Sequence, residues 1–411
     1  MAIFTILRLT WQYHPDIMTL METLSTKGDA VKSITNRILN IRLPPKRSAF
    51  LWGPRKTGKS FWLRTALNQP HHLIDLLQSD VYADYVSRPS LLRERYADSR
   101  QLIVIDEVQM APELLNEVHW LIENRGLSFL LTGSSARKLK RRHANMLGGR
   151  AWRYTMQPLT HQETTGFALE SVMISGLLPS HFLSPDPIMD LRAYVGDYLK
   201  EEIASEAMVQ SMPSFAEFLR VAALTSGELL NYTNVARETG VSAKIVRGYF
   251  QILEDTLLGF RLPPWRKAVN RRLIETEKFY LFDVGVSNFL ARRTPRAGTS
   301  EFGKSFEQWL LMELKAYQAY RQPELELHYW RTSTGLEVDF ILGKMDVAIE
   351  VKASTRIHEI DTRPLQVLSE EQAVGKRILV CRESEPRRMP NGIELLPWQT
   401  FLRELWADQL V

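Results

Sequence analysis

Residues 53–60 read Gly-Pro-Arg-Lys-Thr-Gly-Lys-Ser and follow directly on the apolar run 49–52, Ala-Phe-Leu-Trp. This G-x-x-x-x-G-K-[ST] spacing after a strand-like segment constrains the fold more than any other stretch of the chain. It asks for a strand, a tight loop and a helix in succession, the unit of parallel α/β sheets. The residue types suit a loop around the phosphates of ATP. Gly53 and Gly58 tolerate positive φ and carry no Cβ, so N–H groups of the loop formed with Pro54, Arg55, Lys56 and Thr57 can converge on a phosphate. Lys59 brings a point charge to the β/γ oxygens, and the Ser60 hydroxyl is a ligand for Mg²⁺. A helix from residue 60 to about 67 would aim its positive end at the anion. The alternative is a glycine-rich turn without a ligand.

The chain of 411 residues exceeds one ordinary core and implies two to four domains. Its 45% hydrophobic and 24% charged residues are those of a soluble globular protein. No apolar run approaches the roughly 20 residues that span a bilayer, so no membrane partner is expected. The first eighteen residues lack a basic leader and a small-residue cleavage site. Cys381 is the single cysteine, which excludes a disulfide framework and a cysteine-based zinc site, and a reducing, cytoplasmic setting is expected. The net charge of +5 decides little, but local runs say more. Residues 137–142 read Arg-Lys-Leu-Lys-Arg-Arg, and further pairs stand at Arg266-Lys267, Arg271-Arg272 and Arg292-Arg293, with Arg296 beyond. Such clusters suit a phosphate backbone or a solvated surface.

A second strand, 102–105 (Leu-Ile-Val-Ile), ends in Asp106-Glu107. An aspartate there can hold the Mg²⁺ water shell, and the adjacent glutamate can polarise the attacking water. A third strand, 128–132, ends in Gly-Ser-Ser, where Ser134 or Thr132 could sense the γ-phosphate or cap the next helix. His71 and His72 open a further strand; no carboxylate or cysteine is spaced to make them metal ligands.

Together with Ile105-Asp106-Glu107-Val108-Gln109, 131–135 (Leu-Thr-Gly-Ser-Ser) and 147–150 (Leu-Gly-Gly-Arg), these residues resemble the prokaryotic AAA-type ATPases with an I-D-E-[VI]-Q form of the acidic motif. The resemblance runs from about residue 35 through most of the chain. It implies an ATPase followed by a winged helix and a C-terminal domain with a nuclease-like core. It also implies a homo-oligomer, in the extreme a hexameric ring, in which an arginine reaches a neighbour's γ-phosphate. Arg150 is the candidate, with Arg142 behind it; either can equally be a surface charge.

Residues 161–212 read as a helical connector or lid. Beyond them, a short helix at 232–239, a glycine turn at Gly240 with Ser242 as cap, and a longer helix 243–253 have helix-turn-helix spacing, with 257–262 as a wing strand. Lys244, Arg247 and Gln251 share a face at i, i+3, i+7 and are the candidate DNA contacts; packing against the nucleotide module or protein contacts is the alternative for this element.

Residues 300–352 carry a second candidate site. Glu307 lies on an amphipathic helix, and the segments 337–342 and 347–352 read as a hairpin around Lys344-Met345. Period two places Glu350 and Lys352 on one face, and that turn sets Asp339 opposite Glu350. Two facing carboxylates repel, and a divalent cation removes that cost while supplying Lewis acidity. The arrangement resembles the PD-(D/E)xK nuclease site, with Asp339, Glu350 and Lys352 as its core and Glu307 as an added ligand, for Mg²⁺ or Mn²⁺. Retained geometry without catalysis is the alternative, as is a plain Glu350–Lys352 ion pair.

The expected architecture is α/β: an N-terminal extension (1–34), an AAA-type P-loop ATPase with a parallel sheet and helices on both faces (35–160), a helical connector (161–212), a winged helix (213–268), a linker (269–299) and a PD-(D/E)xK-like domain (300–411). The expected activity is ATP hydrolysis acting on DNA, branched or single-stranded forms included, with Mg²⁺-dependent cleavage. A DNA motor or clamp without cleavage, and a nucleotide switch with protein partners, are the rivals.

Overall fold

The computed structural model describes residues 32–135, 147–202, 211–265 and 276–411. The basic run 137–142, Arg142 included, and the pairs at 266–267 and 271–272 lie outside the described residues.

The first sheet has five parallel strands: β1 (Ser48–Trp52), β2 (His71–Asp75), β3 (Leu102–Asp106), β4 (Phe129–Gly133) and β5 (Ala151–Thr155). Their order is β2-β3-β4-β1-β5, every neighbouring pair parallel. β1, β3 and β4 are buried along their whole length, as near-continuous Val/Ile/Leu runs require when both faces are covered. Alternation divides β1 between two cores. Phe50 and Trp52 pack with Ile103, Ile105 and residues of helix Leu114–Arg125, whereas Ala49 and Leu51 pack with Val104, Leu130 and Trp62 of helix Lys59–Thr65. Because all strands run the same way, the loop after Trp52, the Asp106 tip of β3 and the Gly133 tip of β4 share the carboxyl edge.

The connector holds short helices Pro179–Phe182 and Pro187–Ala193 and a π-helical stretch Tyr194–Glu202. Three helices follow, Met212–Leu224, Tyr232–Thr239 and Ala243–Asp255. Gly240 is left-handed at φ 68° and Ser242 accepts from the Ile245 amide at 3.3 Å, so the turn forms where glycine and a cap were expected. β6 (Gly259–Leu262) then pairs antiparallel with β7 (Lys278–Leu281), so the boundary expected at 268 falls inside a two-stranded ribbon.

The C-terminal sheet contains β8 (Leu327–Arg331), β9 (Glu337–Leu342), β10 (Val347–Val351), β11 (Lys376–Cys381) and β12 (Glu394–Pro397), with Arg387–Arg388 as a short sixth strand on the edge. β8 to β10 form an antiparallel meander, and β10, β11 and β12 run parallel. Helices Ser300–Tyr320 and Trp398–Trp406 cover one face through Phe340, Ile349 and Val380, and helix Arg363–Glu371 covers the other through Ile341, Ala348 and Leu379. Among the described residues no helix is long and apolar enough to cross a membrane.

Candidate functional site

The phosphate loop leaves the buried β1 and turns into helix Lys59–Thr65, with Gly58 at φ 92° and Lys56 at φ 64°. Gly53 has no room for a side chain, since a Cβ there would lie 2.7 Å from the Met156 carbonyl. The Lys59 ammonium is folded back into its own loop, donating to the Gly53 carbonyl at 2.7 Å and the Pro54 carbonyl at 3.1 Å. Those oxygens stand in for the phosphate oxygens that a lysine at this position would take. Burial pushes its pKa down, against the pull of Glu107 and Asp106.

The acidic motif meets this loop. Ser60 Oγ donates to Asp106 Oδ2 at 2.6 Å, and Thr132 Oγ1 donates to Asp106 Oδ1. Two oxygen ligands, one from the helix after the loop and one from a strand tip, are thereby placed side by side, which fits a hard cation such as Mg²⁺. Glu107 is buried at φ 59°, a strained position for a residue with a Cβ. Gln109 Nε2 donates to Glu107 Oε2 and to Ser134 Oγ at 3.1 Å, tying the glutamate to the tip of β4. Of the two sensing candidates, Thr132 thus supports Asp106 and Ser134 shares a donor with Glu107. A groove of about 1360 Å³ opens beside the loop, with Gly58, Phe61 and residues 34–43 in its wall.

Other elements close on the loop. Lys56 lies over the Tyr194 ring (5.7 Å) and Arg55 over the Tyr198 ring (5.3 Å). His181 lies beneath Tyr194, ring centroids 5.4 Å apart; neither of its nitrogens is hydrogen-bonded, and burial lowers its pKa to about 4. Arg37, its side chain 7% exposed, donates to the Thr57 carbonyl (2.8 Å), the Gln157 carbonyl (2.7 Å), Glu163 (3.0 Å) and the Tyr320 hydroxyl (3.1 Å). Tyr320 ends the helix that also carries Glu307, so one guanidinium bridges the phosphate loop and the C-terminal domain. Arg150 is exposed at the start of β5, the opposite edge of the sheet from the loop, and pairs with Glu123.

In the C-terminal domain Leu342 faces Val347 and Phe340 faces Ile349, where the paired register ends one step short of Asp339 and Glu350. There the carboxylate enters the ladder itself, Asp339 Oδ2 accepting from the Val351 amide at 2.8 Å. Both acids are buried; Lys352 Nζ sits 2.5 Å from Glu350 Oε1, while Glu350 Oε2 has no hydrogen-bond partner. Burial and mutual repulsion raise Asp339 well above the carboxylate range, and burial pushes Glu350 up to about 7 against the pull of Lys352.

Glu307 does not join them as a shared ligand. Its charge still reaches both acids and helps to raise each of them. Its Oε1 instead accepts from Tyr280 Oη at 2.6 Å and lies 3.6 Å from Lys278 Nζ. Among the described residues no three His, Cys, Asp or Glu side chains converge as a metal site. The two carboxylates, with one orphaned oxygen, fit a cation; the four-residue set as arranged does not enclose one.

Lys244, Arg247 and Gln251 are all exposed on one face of their helix, with Arg247 over the Tyr232 ring at 4.9 Å and Gln251 bonded to Asp255 at 3.3 Å. The basic pair 292–293 is different from what its composition suggests. Arg293 is buried and caps helix Met212–Leu224 through the Leu224 carbonyl, so its charge serves the fold rather than a phosphate backbone. Sequence reasoning missed Arg37, Lys278, Tyr280 and Tyr320, which stand alone in unremarkable segments. Gln109 lay inside a quoted motif, where its spacing to Glu107 was the available signal.

Residues 45–165 match the family of AAA domains. Residues 167–297 and 302–401 match two domains of unknown function, DUF8612 and DUF4143. The segment matching AAA domains holds the whole phosphate loop, Asp106, Glu107, Gln109 and Ser134; Arg37 precedes it and Tyr320 lies in the third matched segment. Among curated proteins the chain is similar to the uncharacterised proteins Rv2008c of Mycobacterium tuberculosis and Mb2031c of Mycobacterium bovis. Each is 26% identical over 298 residues, covering 70% of this chain and 66% of the relative. Among solved structures it is similar to the Aeropyrum pernix ORC1 protein in complex with DNA (15% identity, TM-score 0.24, 69% of this chain and 93% of that one). Domain III of the Thermotoga maritima replication initiation protein DnaA gives 12% identity and a TM-score of 0.22 over 52% of this chain and 86% of that one. At such scores the assignment of the fold rests on the parallel sheet and its loop.

Proposed function

We propose that the chain hydrolyses ATP at the 53–60 loop and uses the cycle to act on DNA. The observation that supports this best is the 2.6 Å contact of Ser60 with Asp106, which joins the phosphate loop to the acidic strand tip with Glu107 alongside. Lys59 would exchange the Gly53 and Pro54 carbonyls for β/γ-phosphate oxygens. Glu107, oriented by Gln109, would accept the proton of a water whose oxygen bonds to the γ-phosphorus as the bond to the β,γ-bridging oxygen breaks, leaving ADP and phosphate. Mg²⁺ held at Ser60 and Asp106 would neutralise the charge on those oxygens. Arg150 would serve a neighbouring subunit of a homo-oligomer, exchanging Glu123 for the neighbour's γ-phosphate. The face of Lys244, Arg247 and Gln251, on a winged-helix-like element, is the proposed DNA contact.

A second reading adds Mg²⁺- or Mn²⁺-dependent phosphodiester cleavage at Asp339, Glu350 and Lys352. The unpaired, buried Glu350 Oε2 favours it, because a buried carboxylate oxygen without a donor is costly unless a cation takes it. The test is ATP turnover with and without linear, branched and single-stranded DNA, read beside a nicking gel. Stimulation with nicking supports both readings, and stimulation without nicking leaves a motor or clamp. Turnover indifferent to every DNA form would refute action on DNA and point to a protein partner.

A further inference from the structure

The peptide between Thr57 and Gly58 is held from outside the phosphate loop. Arg37 Nη1 donates to the Thr57 carbonyl at 2.8 Å and lies 3.9 Å from where a Cβ on Gly58 would stand. The C=O and N–H of a planar trans peptide point in opposite directions. Holding the Thr57 oxygen towards Arg37 therefore turns the Gly58 N–H away from it. Lys56 at φ 64° and Gly58 at φ 92° flank Thr57, and such left-handed residues make successive N–H groups converge on an anion. The Gly58 amide donates to no group among the described residues, so it is open to a phosphate oxygen. Arg37 is itself held on every nitrogen. Nε donates to Glu163 at 3.0 Å, and that carboxylate also takes the Ile38 amide at 2.7 Å and the Thr160 amide at 3.0 Å. Nη2 donates to the Gln157 carbonyl at 2.7 Å and the Tyr320 hydroxyl at 3.1 Å. Tyr320 ends helix Ser300–Tyr320, so the C-terminal domain completes the set. A lysine would keep the charge beside Glu163, but its single ammonium lacks the planar fork that reaches these acceptors together.

We propose that Arg37 is a positioning residue of the ATP site, orienting the Gly58 amide through the Thr57 carbonyl. The Tyr320 hydroxyl in turn sets Arg37, so ATP binding and the docking of helix Ser300–Tyr320 favour each other. This rests on ATP binding at the 53–60 loop and adds a partner to it, the C-terminal domain of the same chain. By linkage, a docked helix that tightens ATP is itself held more firmly once ATP is bound, by the same factor.

The test uses the full chain and a non-hydrolysable ATP analogue. Affinity is measured by calorimetry, and amide hydrogen exchange at residues 300–320 is followed with and without the analogue, for wild type, Tyr320→Phe, Arg37→Lys and the double variant. Each single variant should bind the analogue about fivefold or more weakly than wild type. The double variant should bind no more weakly than Arg37→Lys, because both changes act through one guanidinium. At equal saturation, the analogue should slow exchange at 300–320 more in wild type than in Arg37→Lys. A merely structural Arg37 would lower the melting temperature of the variants and leave both readouts as in wild type. That result overturns the proposal, as does an additive loss of affinity in the double variant. If Arg37→Lys fails to fold, Tyr320→Phe decides alone, and affinity equal to wild type overturns the proposal. A wild-type chain that binds no analogue removes the ATP reading and this inference with it, whereas binding that no variant alters removes this inference alone.

Discussion

Tyr320→Phe isolates the join between the phosphate loop and the C-terminal domain. The Tyr320 hydroxyl accepts from the Gln157 amide at 2.9 Å and from Arg37 Nη2 at 3.1 Å, while its ring packs between two hydrophobic clusters. Phenylalanine keeps the packing and removes the acceptor from both donors. Arg37 retains the Thr57 and Gln157 carbonyls and Glu163, but the Gln157 amide has no other acceptor among the described residues. Leaving one such donor unsatisfied costs about 1–3 kcal/mol, and weakening a charge-assisted bond brings the loss to roughly 2–3 kcal/mol. For a chain of 411 residues that corresponds to a fall in Tm of roughly 2–4 °C. Burial pushes the Tyr320 pKa up to about 12, so the deficit should be the same at pH 6 and pH 9. Because Arg37 also holds the Thr57 carbonyl, ATP affinity measured by calorimetry should weaken in parallel. A Tyr320→Phe chain that melts within about 1 °C of wild type and binds ATP equally well would show that the hydroxyl carries no such load.

Three further outcomes follow from the site. Lys59→Ala should abolish ATP turnover while circular dichroism stays that of wild type; undiminished turnover would refute the phosphate loop. Gln109→Ala frees Glu107 and Ser134 at once, so kcat should fall by about ten- to hundredfold with little change in KM, and an unchanged kcat would remove Gln109 from the positioning of Glu107. His181 has a folded pKa of about 4, lowered by burial and by Lys56, so between that value and its ordinary 6.5 the unfolded chain binds the extra proton. Stability should therefore be lost as pH falls through this window, by at most about 1.4 kcal/mol per pH unit, and His181→Leu should flatten that slope in denaturant titrations. An identical slope in the variant would place the acid sensitivity elsewhere.

Much of the catalytic edge was legible in the sequence because its parts are local. Gly53, Gly58, Lys59 and Ser60 are fixed by one turn, and Asp106 and Glu107 by the end of one apolar run. The register of the hairpin as far as Phe340 and Ile349 was also readable, since it follows from the turn and a strand's period of two. The partners of Glu307 were not readable, since Tyr280 and Lys278 come from a distant strand that helix spacing does not record. Arg293 shows the same limit, a basic residue whose composition suggested a phosphate contact and whose fold spends it on a helix end.

By itself, the chain's order of residues determined the strand–loop–helix unit, the buried strands with their acidic tip, and the carboxylate hairpin, because each is set by contacts within a few residues. Only the tertiary structure decided that Arg37 would clasp the phosphate loop to Tyr320, about 280 residues later, and that Lys278 would enter the acids of another domain. Those are long-range pairings of buried charges. Their partners are chosen by where desolvation can be repaid once the domains pack, and no local periodicity records that choice.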